Sequence, residues 1–499
     1  MKKLVKSLMN INCAALMLIN LAGCTFSAHL QNEKPVANQQ ETQEEQENPQ
    51  NNQQNDQQEQ QNKNDEQPSS VIQENPEKGI VRTVGENQKY TTLSSAIKDA
   101  KNGDVIMIDS QTINLGTTET ININKSITLK GLENVKIDAS QVKVNGDSSI
   151  ITITAPYVTL DNLEICGLTE KSNNDKNHPC GIRVEAGANN IKIINCKIHD
   201  IGYKTYPKGS DPDSHYNGHG IWIGSQKKGG AEINGVYIYN CEIYNLKIGN
   251  SESLVLNGNV TNFQIINNYI HDCDNIGIDI IGYEAGNFSS TNRARNGLIK
   301  GNIVKNISSK NNYTYKDCCA GGIYVDGGTD VEIQNNLIID CDIGIEVASE
   351  HEGYATNDIR VHNNIIYNSN TNSWAGISMG GAGIENGEAT ACKIINNTVF
   401  CKGNGESGSA FVIQKANDAD NIIKNNIFIT TKNYEPIEYA SEDLDDYDNQ
   451  TLNQVIDNDE FIVNDKDIKS FEVDEKQGTL KLPSSLKVTA GRGAGDNIF

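Results

Sequence analysis

A short asparagine-bearing pattern recurs through the middle of this chain, and its spacing leaves few architectures open. Clear copies are Asn-Cys-Lys-Ile from Asn195, Tyr-Asn-Cys-Glu-Ile from Tyr239 and Ile-Asn-Asn-Tyr-Ile from Ile266. Others begin at Gln334, His362, Ile395 and Lys424, with looser ones at Asp161 and Lys300. Taking Asp161, Asn195, Asn240, Asn267, Gly301, Asn335, Asn363, Asn396 and Asn425 as equivalent gives nine copies at steps of 27 to 45 residues. A repeat of that length marks a solenoid, in which each unit buries its apolar face only against its neighbours. Within each copy Ile and Val alternate with period two, so the unit is a strand.

Most copies are accompanied by a second strand opened by glycine, at Gly181, Gly220, Gly277, Gly322, Gly344 and Gly376. Short strands joined by turns must pair with the same strand one coil on, about 4.8 Å away. The expected fold is therefore all-β, a parallel β-helix of roughly ten coils. Stacking also predicts an amide ladder through Asn302, Asn336, Asn364, Asn397 and Asn426, which makes these asparagines corner residues.

These motifs resemble the right-handed parallel β-helix proteins of the pectate-lyase-like superfamily, over about residues 81–430. The opening from Tyr90 to Ala100, followed by Asn102-Gly-Asp-Val-Ile, is similar to the helix-then-strand start of many members. Leu93, Ala96, Ile97 and Ala100 share one helical face, suited to capping the first coil. The resemblance implies a carbohydrate-active protein, since most members are polysaccharide lyases, glycoside hydrolases or epimerases.

Ahead of the repeat, Lys2, Lys3 and Lys6 precede an apolar run from Leu8 to Leu21 and the tetrad Leu21-Ala22-Gly23-Cys24. That layout reads as a secretory leader over residues 1–23. The tetrad resembles a bacterial lipobox, implying acyl chains on Cys24 and a protein held at the outer face of the cell membrane. Residues 24–79 read as a disordered Gln/Asn/Glu-rich tether, with eleven acids against three bases between Gln31 and Lys78. Residues 80–435 form the expected β-helix domain and 436–499 an irregular cap. A net charge of −23 with no basic tract argues against a nucleic-acid partner. The expected state is a monomer whose partners are a polysaccharide and, through Cys24, the membrane.

Twelve cysteines do not read as a disulfide framework, and no cysteine spacing matches a zinc site. Cys196 and Cys241 take the stack position held elsewhere by Asn268 and Asn336, and are the pair best placed to bridge. Cys273 and Cys341 fall two coils apart, out of bonding range.

In each glycine-led strand the Ile and Val point inward and their neighbours outward. Aligning the strands gives the outward column Arg183, Trp222, Val255, Asp279, Tyr324, Glu346, Ser378, Val412. A second column runs through Glu185, Gly224, Asn257, Ile281, Asp326 and Ala348. Asp279, Asp326 and Glu346 thus gather on consecutive coils beside Trp222 and Tyr324, and stacked acids repel unless something compensates. Insertions at about 201–218, 283–296 and 308–320 fall beside them, carrying Lys204, Lys208, His215, His219, Glu284, Arg293 and Arg295. An acid-rich turn, Glu350-His351-Glu352, follows Glu346.

The leading expectation is a lyase that cleaves a uronic-acid-containing polysaccharide by β-elimination. Asp279, Asp326 and Glu346 would hold Ca²⁺, which neutralises the substrate carboxylate. Arg295, His219 and His351 are the candidate bases, and Trp222, Tyr324 and Arg293 the candidate substrate contacts. The stretch from Glu346 to His351 is similar to the metal-and-base strand of the chondroitinase B and alginate lyase family, with His351 where that family has a lysine. The alternatives are an inverting glycoside hydrolase using Asp326 with Asp279 or Glu346, a C5-epimerase, and a non-enzymatic carbohydrate-binding solenoid.

Overall fold

The computed structural model describes residues 79–109, 111–206, 215–381, 386–415, 420–439 and 453–488. The expected leader, Cys24, the expected tether before residue 79 and Lys208 lie outside the described residues. The chain winds as a right-handed parallel β-helix whose coils contribute one strand each to sheets of fourteen, twelve and eleven strands. One full turn runs through His219–Ser225, Ile233–Tyr239 and Glu242–Leu246, and Leu254–Gly258 begins the next. Its strands pair in parallel with the following coil, Trp222 against Val255, Tyr239 against Ile266 and Tyr244 against His271. The interior is a column of fully buried Ile, Val and Leu, among them Ile182, Ile221, Leu254, Ile278, Ile323, Ile345 and Ile377. Each such side chain contributes about 1.5–3 kcal/mol by leaving water.

The asparagine pattern is the corner between the fourteen- and twelve-stranded sheets, and its two residues do different work. The first turns the chain in the left-handed region, with φ of 55° at Asn195, 53° at Asn267, 55° at Asn335 and 57° at Asn425, and with Gly301 at 65°. Asparagine and glycine tolerate that conformation best. The second points inward and stacks. Asn268, Asn302, Asn336, Asn364 and Asn397 each donate both main-chain N–H and Nδ2 to the Oδ1 of the next asparagine, at 2.9–3.0 Å. The ladder ends on Asn458, which accepts from Asn426 at 2.9 Å.

Register corrects the first copy by one residue. Asp161 pairs with Ile194, so Asn162, at φ 57°, is the true partner of Asn195. The stack also runs past residue 435, where the repeat fades from view. Ile437–Tyr439, Gln454–Ile456 and Asp459–Val463 each add a strand to one of the three sheets. The strand-opening glycines are required by close approach between coils. A Cβ on Gly181, Gly277 or Gly344 would sit 2.4–2.5 Å from the carbonyl oxygen of the glycine one coil on.

Both ends carry additions. The helix Leu93–Asp99, N-capped by Thr92, buries Leu93, Ala96 and Ile97 in the core cluster of the first coils. After the last coil, residues 464–488 fold back over the outer face of the twelve-stranded sheet. Phe471, Leu480 and Leu486 pack there on Leu337, Ile365, Phe400 and Ile427, and Lys305 pairs with Glu475 at 2.5 Å. Cys196 and Cys241, the pair best placed to bridge, are both buried and not joined by a disulfide.

A nest of buried carboxyls on the eleven-stranded sheet

The outward column predicted for the glycine-led strands is the observed one. Arg183 pairs with Trp222, Val255 with Asp279, Asp279 with Tyr324, Tyr324 with Glu346 and Glu346 with Ser378. Asp326 sits one step along, paired with Ala348. These residues point outward from the sheet yet are shielded from solvent. Asp279 and Asp326 are only 2% and 3% exposed.

Six acids meet in this space: Glu252, Asp279, Glu284, Asp326, Glu346 and Glu350. Burial, then the neighbouring charges of Glu252, Asp326 and Glu350, hold the Asp279 carboxyl well above the usual range. Asp326 is raised in the same way, by burial and then by Glu350 and Glu284. The partly open members are Glu252, Glu346 and Glu350. Burial followed by Glu284 pushes Glu252 up to about 8, burial and Glu350 push Glu346 to about 8, and burial and Glu284 push Glu350 to about 7. Desolvation penalises every charge here and each charge penalises the next. The N–H of Glu350 donates to Asp326 Oδ1 at 2.8 Å, while Asp279 Oδ1 is buried without a hydrogen-bond partner.

Two histidines border the acids. His219 Nδ1 lies 3.3 Å from the main-chain oxygen of Glu252 and 3.4 Å from its Oε2. A carbonyl can only accept, so Nδ1 carries the hydrogen and Nε2 keeps its lone pair. Burial, with Arg183 nearby, drops His219 to about 3. His351 Nε2 approaches Glu284 Oε1 at 3.5 Å, and its ring meets Phe288 edge-on at 5.5 Å. Phe288, 45% exposed, stacks on Tyr354 at 4.7 Å and makes an aromatic shelf beside the acids. Tyr324 is buried in the column itself, and Trp222 lies under Arg183 at 4.4 Å.

The sequence-predicted residues therefore divide. Asp279, Asp326, Glu346, His219, His351 and Tyr324 come together. Arg293 does not face the nest as a substrate contact, because its guanidinium donates to the carbonyls of Gly327, Gly328 and Ala355 at 2.6–2.9 Å. Arg295 belongs to the fourteen-stranded sheet, where it reaches Asn259 at 3.0 Å and Glu232 at 3.4 Å, which removes it as the base. Glu252 was not singled out by the sequence. Its signal is positional: it stands two residues ahead of Leu254, which pairs with Ile278 beside Asp279. As a Ca²⁺ site the nest fits in part. The unpartnered Asp279 Oδ1 is a suitable oxygen, but Asp279, Asp326 and Glu346 do not form a group with three ligand atoms within 4.8 Å of one another.

No protein-family model matches the chain. It is 31% identical over 322 residues to "Uncharacterized protein YwoF" of Bacillus subtilis (strain 168), covering 62% of this chain and 64% of that protein. The chain thus spans less than two thirds of that relative's length. Among solved structures, the Dettilon tailspike protein gp208 aligns with a TM-score of 0.44 at 16% identity, over 74% of this chain and 64% of that one. The GH136 lacto-N-biosidase of Eubacterium ramulus gives 0.47 at 13%, over 77% and 68%. The alginate lyase of Paenibacillus sp. str. FPU-7 gives 0.38 at 14%, over 77% and 97%.

Proposed function

We propose that this protein is a carbohydrate-active enzyme that hydrolyses a glycosidic bond at the carboxyl nest. The observation behind this reading is a set of solvent-reachable carboxyls, Glu346 and Glu350, both raised well above the usual carboxylate range, Glu346 by burial and Glu350, and Glu350 by burial and Glu284. Breaking a glycosidic bond needs a proton delivered to the leaving oxygen and a carboxylate to activate water or carry developing charge. Two neighbouring carboxyls, one protonated and one ionised, supply both at one pH. We assign the acid to Glu346 and the base to Glu350, an assignment read by the leaving-group dependence of each variant. The Phe288–Tyr354 shelf suits the apolar face of a sugar ring.

The test is a screen over neutral glycans, pectate, alginate and glycosaminoglycans that reads new reducing ends and new unsaturated products separately. Hydrolysis predicts reducing ends alone, unaffected by chelator. Glu346→Gln and Glu350→Gln should each cost about 10²–10⁴-fold in kcat, with Glu346→Gln sparing substrates that have activated leaving groups. Turnover unchanged by both substitutions would sink the proposal.

A second reading is supported by the unpartnered Asp279 Oδ1. A divalent cation seated there would make the site one for β-elimination on a uronate, or for C5-epimerisation by the same proton abstraction. Unsaturated product, abolished by chelator, would favour it over hydrolysis.

A further inference from the structure

A second group of reactive side chains lies away from the carboxyl nest, on the outer face of the twelve-stranded sheet. Glu164 and Cys166 are two residues apart on one strand and so project from the same face. Cys166 lies directly opposite His199 on the next coil, and Asp138 lies opposite Cys166 on the preceding one. A carboxylate oxygen of Glu164, the Cys166 Sγ and a ring nitrogen of His199 all fall within 4.8 Å of one another.

The imidazole is held in place from two directions. Its Nδ1 lies 2.8 Å from Asp200 Oδ2, and its Nε2 faces Glu164 Oε1 at 3.3 Å. Its plane is fixed by stacking on Tyr244 at 4.6 Å, with 12° between the rings. A carboxylate on the far nitrogen is the usual support of a metal-bound histidine, because it sets the tautomer and aims the lone pair. Thiolate, imidazole and carboxylate together match the preferences of Zn²⁺ and its first-row neighbours, whereas Ca²⁺ and Mg²⁺ take oxygen ligands.

We propose that Glu164, Cys166 and His199 form a binding site for a thiophilic divalent cation of the Zn²⁺ class, with Asp138 on the preceding coil available as fourth ligand. Lys136 explains how the metal-free site stays balanced. Its ammonium stands 3.4 Å from Glu164 Oε1 and 3.8 Å from Asp138 Oδ2. The side chain is 34% exposed, so it can swing into water as the metal enters. Lysine and metal thus compete for one place. Because the site is on a different sheet from the carboxyl nest, its existence does not depend on the activity proposed there.

The experiment uses the metal-stripped full chain titrated with Co²⁺ and then with Zn²⁺, followed by absorbance. One equivalent of Co²⁺ should raise a thiolate-to-metal charge-transfer band, which Zn²⁺ then removes. Cys166→Ser should abolish the band. Glu164→Gln leaves every thiol in place and should weaken binding, and Asp200→Asn should weaken it by about 10–100-fold. Circular dichroism of each variant checks that the coils are intact. No band at all, or a band that survives Cys166→Ser, would overturn the assignment.

Discussion

Replacing Glu346 by Gln should make the protein more stable, and by an amount that depends on pH. The amide keeps the shape of the side chain but cannot ionise. In the folded protein this carboxyl is raised from 4.5 to about 8 by burial and by Glu350. A folded value above the unfolded one means that the native state holds the proton longer. Stability is therefore full below about pH 4.5 and is lost as pH rises toward about 8. At about 1.4 kcal/mol per pH unit, the ceiling is about 5 kcal/mol, of which about 3 is expressed at pH 7. Glu346 is partly open to solvent, which reduces this to about 1–3 kcal/mol. Urea midpoints for wild type and Glu346→Gln, measured from about pH 4 to 8.5, give the test. A constant offset belongs to the amide, and the slope is the readout. A difference that stays flat with pH, or widens toward acid, would refute the account of a buried, charge-crowded carboxyl.

Asn336→Ala should cost about 3–5 kcal/mol by equilibrium unfolding, because it strips partners from the Asn302 N–H and the Ile299 carbonyl in a fully buried ladder. Asn458→Ala, at the half-exposed end of the same ladder, should cost about 1 kcal/mol, since water reaches the orphaned groups. Alkylating the unfolded, unreduced protein should label Cys196 and Cys241 as thiols in a peptide mass map, and a bridged peptide would contradict the structure. Cys24→Ser should shift the protein from the membrane to the soluble fraction, with full membrane partition of the variant counting against a lipid anchor.

What the sequence made legible was whatever the coil repeats. The asparagine ladder and the outward column of Asp279, Tyr324 and Glu346 follow from period and alternation alone, because stacking turns sequence spacing into proximity. What it concealed was whatever departs from the period. Arg293 and Arg295 lie two residues apart in one insertion, yet one is buried among carbonyls and the other lies on a different sheet. Glu252 and Glu284 reach the nest from segments whose path no periodicity fixes. The last strands escaped notice because Asn453 and Asn458 sit in a stretch too rich in Asp and Glu to resemble earlier copies. Cys166 and His199 are 33 residues apart in the chain and carry no metal-site spacing. Only the pairing of one coil with the next makes them neighbours.

The returning segment at residues 464–488 gives this molecule an order of assembly. A coil needs only the coil before it, so winding can proceed while the chain is still being made. The apolar outer face formed by Leu337, Ile365, Phe400 and Ile427 is different, since its cover is synthesised after every coil it closes on. The Lys305–Glu475 pair spans 170 residues, and none of that closure is possible until residues 464–488 emerge. For that interval a nearly finished solenoid carries a bare greasy flank, the kind of surface on which unfinished chains associate. A chain cut short just after the last coil would keep its winding and lose its solubility.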